Sequence, residues 1–182
     1  MKRALVLLAD GCEELEAVSI VDVLRRGGVE TAALSITGRT GIDGAHGIRL
    51  VADGLFDSAA AASADAIALP GGMGGMRALR ASSAVLDALR AAAARGAVVA
   101  AVCAAPAVLD AAGLLAGRRF CCYPGIEESL SGAGTCVPDV PTVVDGNVVT
   151  GTGPGTAALF AAEVLRALGS PADDVAAAML LR

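Results

Sequence analysis

A chain of 182 residues with a formal net charge of −5 is long enough to bury a substantial core as one domain, and it has no basic excess to attract nucleic acid or an anionic membrane. Tryptophan is absent and aromatic residues make up 2% of the chain, so stacking platforms for single-stranded nucleic acid are excluded and packing falls to Ala, Val and Leu.

The first residues imitate a short signal peptide, with Lys2-Arg3 before an apolar run and Ala9-Asp10-Gly11-Cys12 resembling a lipoprotein cleavage site. The apolar run is shorter than a secretory core and Asp10 interrupts it. No stretch reaches a transmembrane length. Residues 3–9 are therefore expected to form a first buried strand, and the protein to be cytoplasmic.

Residues 13–26 have a helical pattern, stopped by Gly27-Gly28. Residues 30–36 follow as a strand. The segment 40–51 is irregular, either a hairpin or edge strands, with Gly41, Gly44 and Gly47 as turn residues. Residues 64–69 are another buried strand, closed by Pro70-Gly71-Gly72, and 73–79 and 83–95 are helical. The run 97–102 is apolar and β-branched, as in a buried parallel strand. Residues 107–115 form a helix, with Pro106 suited to its first turn. A short strand is expected at 119–122. Residues 142–144 and 147–150 flank Asp145-Gly146, a hairpin signal. Helices at 155–168 and 171–180 end the chain.

This alternation predicts an α/β protein with a mainly parallel sheet, and no composition break divides residues 1–182 into two domains. Ligands of open α/β sheets sit outside the carboxyl ends of the strands, so the loops after Ala9, Leu69 and Val102 should share one face.

The five cysteines are odd in number and unevenly spaced, which is not a disulfide framework. Cys121 and Cys122 are adjacent and cannot bridge each other without strain. No C-x-x-C pair occurs and His46 is the only histidine, so neither a metal nor any other cofactor is expected.

Cys103 stands where strand must turn sharply into helix, in Val102-Cys103-Ala104-Ala105-Pro106. Ala101 and Ala105 flank it at two residues either side, the small neighbours that a nucleophile elbow requires. A thiol at a helix N-terminus is also biased toward the reactive thiolate. The alternative is an inert core cysteine. Glu16 shares one row of its helix with Ile20 and Val23, at i, i+4 and i+7. A carboxyl facing an apolar region tends to hold its proton, which it could share with a thiolate. The alternative is a boundary glutamate reaching solvent, as Glu13 and Glu14 are expected to do.

Pro70-Gly71-Gly72-Met73-Gly74-Gly75 matches neither G-K-[ST] nor G-x-G-x-x-G, which argues against phosphate binding. Gly72 N–H could instead pair with Ala104 N–H as an oxyanion hole, unless the loop is a plain tight turn. Gly151-Thr152-Gly153-Pro154-Gly155-Thr156 opens a helix, with Thr156 as a candidate cap. Tyr123 could place a hydroxyl near a pocket. His46 is the only candidate imidazole base, and its sequence distance from Cys103 leaves any pairing open.

Together these residues resemble the ThiJ/PfpI superfamily, in its Parkinson-associated deglycase (DJ-one) branch. The resemblance runs through Lys2-Arg3-Ala4-Leu5-Val6, residues 11–16, Val21-Asp22-Val23-Leu24-Arg25-Arg26, Leu69-Pro70-Gly71-Gly72, Val102-Cys103-Ala104-Ala105-Pro106 and Gly153-Pro154-Gly155-Thr156. It implies a flavodoxin-like sandwich and a homodimer. It puts the nucleophilic, oxidisable cysteine at Cys103, the partner acid at Glu16 and the backbone donors at Gly72 and Ala104. Gly153 and Pro154 would lie near both pocket and dimer interface.

The implied function is glutathione-independent glyoxalase or deglycase chemistry on reactive carbonyls such as methylglyoxal. A non-enzymatic redox sensor or chaperone using the same cysteine is the alternative. Three departures stand out. Tyr123 occupies the place of a histidine found in many members, a form associated with bacterial relatives. The usual arginine before Gly-Pro-Gly is missing from Gly151-Thr152. Ala104 replaces the histidine of the protease-like branch, which argues against a peptidase. No histidine lies downstream of Cys103, as a glutamine amidotransferase would need.

Overall fold

The computed structural model describes residues 1–181. In chain order the elements are β1 (Arg3–Leu8), α1 (Glu14–Arg26), β2 (Glu30–Ser35), β3 (Gly41–Asp43), β4 (Arg49–Val51), β5 (Gly54–Leu55), α2 (Ser58–Ala61), β6 (Ala66–Leu69), α3 (Met73–Ala81), α4 (Ser83–Ala94), β7 (Val98–Val102), α5 (Pro106–Ala111), β8 (Arg119–Phe120), β9 (Thr135–Cys136), β10 (Thr142–Asp145), β11 (Val148–Gly151), α6 (Ala157–Ala167) and α7 (Ala172–Ala178). The main sheet has the order β10-β11-β7-β6-β1-β2-β5 and is parallel except for the β10–β11 hairpin.

The strand order explains the layers. The chain steps from β1 to β2 in one direction along the sheet and from β6 to β7 in the other. Right-handed crossovers in opposite directions put their helices on opposite faces. Accordingly α1 packs on α6 and α6 on α7, while α3, α4 and α5 pack on one another. The fold is the expected flavodoxin-like sandwich. Strands β6 and β7 are covered on both sides, which is why they consist of apolar residues without alternation. The order reverses between β1 and β6, and such a switch point opens a crevice at the carboxyl edge. The loops after β1, β6 and β7 meet there, as expected from sequence.

Several local expectations are corrected. The helix after the elbow ends at Ala111, not 115, because Gly113 takes φ +77° and the chain turns. The strand expected at 119–122 pairs only over Arg119–Phe120, parallel to β9 in a small separate sheet. Of the two forms expected for the irregular segment 40–51, the hairpin is the one present, β3 against β4. Helix α6 starts at Ala157, preceded by a tight 3-10 turn over Pro154–Thr156. Thr156 does not cap α6; its hydroxyl reaches back to the Gly153 backbone N–H (3.2 Å) and carbonyl (3.0 Å). Among the described residues no helix is long and apolar enough to cross a membrane.

Candidate active site

Cys103 follows β7 directly and has φ +64°, a region that non-glycine residues rarely occupy. Two backbone hydrogen bonds hold it there. Its N–H donates to Gly151 O (2.9 Å), and its carbonyl accepts from Tyr123 N–H (2.9 Å). Ala101 and Ala105 are fully buried on either side, so the turn has no room for larger neighbours. The strand–elbow–helix anticipated from sequence is present, with Pro106 as the first residue of α5.

Glu16 is fully buried on α1 beside Ile20 and Val23. Its Oε2 accepts a 2.6 Å hydrogen bond from Gly71 N–H, while its buried Oε1 has no partner. The carboxyl lies against Cys103, because a Cβ on Gly71 would meet Cys103 Cβ at 2.7 Å and Glu16 Oε2 at 2.9 Å. Burial pushes the Glu16 pKa up to about 7, against the pull of Gly71 N–H and the Cys103 thiol.

The thiol departs from expectation. The N–H groups of Gly72 and Ala104 favour its thiolate, but burial and then the Glu16 carboxylate outweigh them and push it up to about 12. Burial is the largest cause of both shifts, and at the thiol the Glu16 carboxylate adds to it, because two neighbouring acids out of water hold one proton between them more easily than they carry two negative charges.

The glycine loop is more than a tight turn. Gly72 has φ +81°, and a Cβ there would sit 2.3 Å from Gly11 O. Only glycine lets the loops after β1 and β6 approach this closely. Gly71 supplies the N–H that clamps Glu16, a role not evident from the sequence.

Glu13 and Glu14 do not reach solvent as expected; both are buried. Glu13 caps α1, its Oε2 accepting from Glu16 N–H at 2.7 Å, and so fixes the turn carrying Glu16. The three-residue spacing of Glu13 and Glu16 was the available sequence signal. Glu14 Oε1 accepts from His46 N–H (2.6 Å) and its Oε2 contacts His46 Nδ1 (2.8 Å). Burial opposes the Glu14 carboxylate, but hydrogen bonds from the His46 ring and backbone hold its pKa down to about 2, and the same contacts raise that of His46. Ligand-type atoms of Glu13, Glu14 and His46 lie within 4.8 Å of one another, and the helix cap and the His46 loop already engage both carboxylates.

A cleft of about 580 Å³ opens over Cys103, lined also by Gly72, Ala104, His46, Tyr123 and Pro154. Tyr123 is half-exposed and its ring packs on Gly153, whose Cβ would lie 3.3 Å from Tyr123 Cδ2. The fold therefore gathers every candidate residue, with Glu16 beneath the floor and His46 at the rim, tied to Glu14.

A strained elbow that presents one thiol against a buried carboxyl, at the switch point of a parallel sheet, defines an α/β protein built around a cysteine. The chain belongs to the DJ-1/PfpI family, whose model matches residues 2–167. It is 37% identical over 167 residues to the dj-1beta protein of Drosophila melanogaster, covering 92% of this chain and 89% of that one. The crystal structure of that fly protein matches with a TM-score of 0.91 at 36% identity, over 100% of this chain and 98% of the other. A protein of Pyrococcus abyssi named a deglycase is 35% identical over 153 residues, 84% of this chain and 91% of its own. An oxidised Toxoplasma gondii DJ-1 structure matches at 34% identity with a TM-score of 0.89, covering 99% and 98%.

Proposed function

We propose that this protein is a cysteine-dependent enzyme acting on reactive dicarbonyls such as methylglyoxal, or on their adducts, without glutathione. The observation that carries the proposal is Cys103 in its elbow, with Glu16 alongside and the Gly72 and Ala104 backbone lining the same cleft as the thiol. The archaeal relative's name supports it. A Glu16 pKa near the working pH suits a base at neutrality. Glu16 takes the thiol proton as Cys103 Sγ adds to the aldehyde carbon, giving a hemithioacetal. The N–H groups of Gly72 and Ala104 stabilise the oxygen that becomes negative. Glu16 returns that proton to the oxygen, then takes the proton of the former aldehyde carbon and delivers it to the neighbouring carbonyl carbon, while the hydroxyl proton passes to that carbonyl's oxygen. The product is a thioester that water hydrolyses to the hydroxy acid, the Cys103 sulfur leaving with a proton as the thiol. Deglycation of adducts begins with the same addition. Tyr123, Pro154 and His46 shape the cleft, with Gly153 seating the Tyr123 ring. A cytoplasmic location suits five free thiols.

The test is glutathione-free loss of methylglyoxal with identification of the product. Lactate from the wild type and none from Cys103→Ser supports the enzyme. The second reading is an oxidation sensor, favoured by the relative solved in an oxidised form. Absence of turnover, with peroxide converting Cys103 cleanly to sulfinic acid, would leave that reading in place.

We further propose a homodimer, as the family resemblance implies. On α1, Leu15 and Val18 are exposed, and on the β3–β4 hairpin so are Ile48 and Val51, making an aliphatic face without aromatics. Light scattering at micromolar concentration is expected to report a dimer for the wild type and a monomer for Val51→Arg, which puts a charge in this face. A wild-type monomer, or an unaffected variant, removes the interface.

A further inference from the structure

A second pair of thiols lies outside the Cys103 cleft. Cys122 and Cys136 line a separate cleft of about 380 Å³, together with Glu127. The β8–β9 pairing brings their segments together, with Phe120 opposite Cys136 and Val137 N–H donating to Phe120 O at 2.7 Å. Both thiols border that one cleft, Cys136 from β9 and Cys122 from the chain two residues beyond Phe120, the strand partner of Cys136. Cys122 is buried and its Sγ donates to Glu127 Oε2 at 3.6 Å, whereas Cys136 is partly exposed. Adjacent Cys121 is engaged elsewhere, its sulfur 3.7 Å from Thr150 Oγ1.

We propose that Cys122 and Cys136 are a redox-active dithiol that a hydroperoxide oxidises to an intramolecular disulfide, with Cys136 reacting first and Glu127 serving as base for Cys122. The roles follow from exposure. Cys136 can meet an oxidant from solvent. Burial, followed by the Cys136 and Glu127 charges, raises the Cys122 pKa, so Cys122 does not meet the oxidant as a free thiolate.

In the first step Cys136 sulfur attacks the peroxide, an S–O bond forms and the O–O bond breaks. The departing oxygen takes the proton that the Cys136 thiol gives up and leaves as water or an alcohol. In the second step Cys122 gives its proton to Glu127 Oε2 and its sulfur attacks the Cys136 sulfenic acid. The S–S bond forms, the S–OH bond breaks, and the leaving hydroxide collects the proton from Glu127 as water. The pair loses two electrons and the peroxide gains them. Transient disulfides of this kind are the usual type in a reducing compartment. Tyr123 follows Cys122 directly, so the bond anchors the chain that walls the Cys103 cleft.

The proposal does not involve Cys103, and its failure leaves the catalytic reading untouched. The experiment treats the full chain, wild type and Cys103→Ser, with hydrogen peroxide, and maps peptides without reduction. The expected result in both is a peptide joining Cys122 to Cys136, lighter by two hydrogens and released by dithiothreitol. Cys122→Ser should leave Cys136 as a sulfenic acid that dimedone traps. Glu127→Gln should slow bond formation roughly a hundredfold near neutrality, with the rate recovering at alkaline pH. Oxidation of Cys136 to sulfinic acid without the linked peptide would overturn the proposal. So would both thiols remaining alkylatable, or linkage of Cys136 to Cys121. An unchanged rate for Glu127→Gln would remove the base.

Discussion

Glu16→Gln is expected to lower dicarbonyl turnover by about two orders of magnitude or more, the usual scale for loss of an acid–base group, while making the fold more stable in mild alkali. The opposite signs have one origin. Glutamine keeps the size of Glu16 and can still accept from Gly71 N–H, but it cannot take the Cys103 proton. It also removes a carboxyl that burial has raised from 4.5 to about 7. An acid whose folded pKa lies above its unfolded value binds the proton more tightly when folded. Its contribution is complete below the unfolded value and is lost as pH rises through the folded one. Above that window the wild type holds a buried charge with an unpartnered Oε1.

The shift corresponds to up to about 3 kcal/mol, which the variant would recover near pH 8 but not near pH 4. Urea unfolding at both pH values, beside a glutathione-free turnover assay, checks the pair of effects. Equal stability differences at the two pH values would mean that Glu16 titrates normally. Turnover within a few-fold of wild type would remove it from the mechanism.

The parts of this site that were legible in sequence obey local codes. Strands β6 and β7 could be read because a strand covered on both faces is continuously apolar over a short length. Cys103 was legible because an elbow demands small flanking residues, and Glu16 because its helical row is otherwise apolar. The thiol's preference was not. The donors of Gly72 and Ala104 are a local feature, whereas the burial and carboxylate that outweigh them come from distant segments. The sequence likewise suggested that Glu13 and Glu14 were solvated, because their partners include a loop thirty-two residues further on. Thr156 has capping chemistry, but the 3-10 turn ahead of α6 redirects its hydroxyl to Gly153. Cys122 and Cys136 carry no spacing signal. Only the β8–β9 pairing makes them neighbours.

Gly71→Ala is expected to cost about a hundredfold in turnover, although it changes no group that does chemistry. Gly71 has no left-handed backbone strain, so alanine is tolerated conformationally, unlike at Gly72. The added methyl would stand 2.7 Å from Cys103 Cβ, 2.9 Å from Glu16 Oε2 and 3.0 Å from Ala104 N. None of these can yield freely. Cys103 is fixed by its elbow, Glu16 is held by Gly71 N–H itself, and Ala104 N is backbone. The methyl must therefore part the thiol from the carboxyl, and a misplacement of about 1 Å is enough for a loss of this size. Gly155→Ala is the control, since a Cβ there meets nothing within 4 Å. The measurement is turnover for both variants, with the rate of Cys103 alkylation as a second readout. Loss confined to Gly71→Ala, with altered alkylation and a cooperative unfolding transition retained, is the expected pattern. Normal turnover in Gly71→Ala would mean that thiol and carboxyl need not touch, and the proton transfer assigned to Glu16 would have no basis.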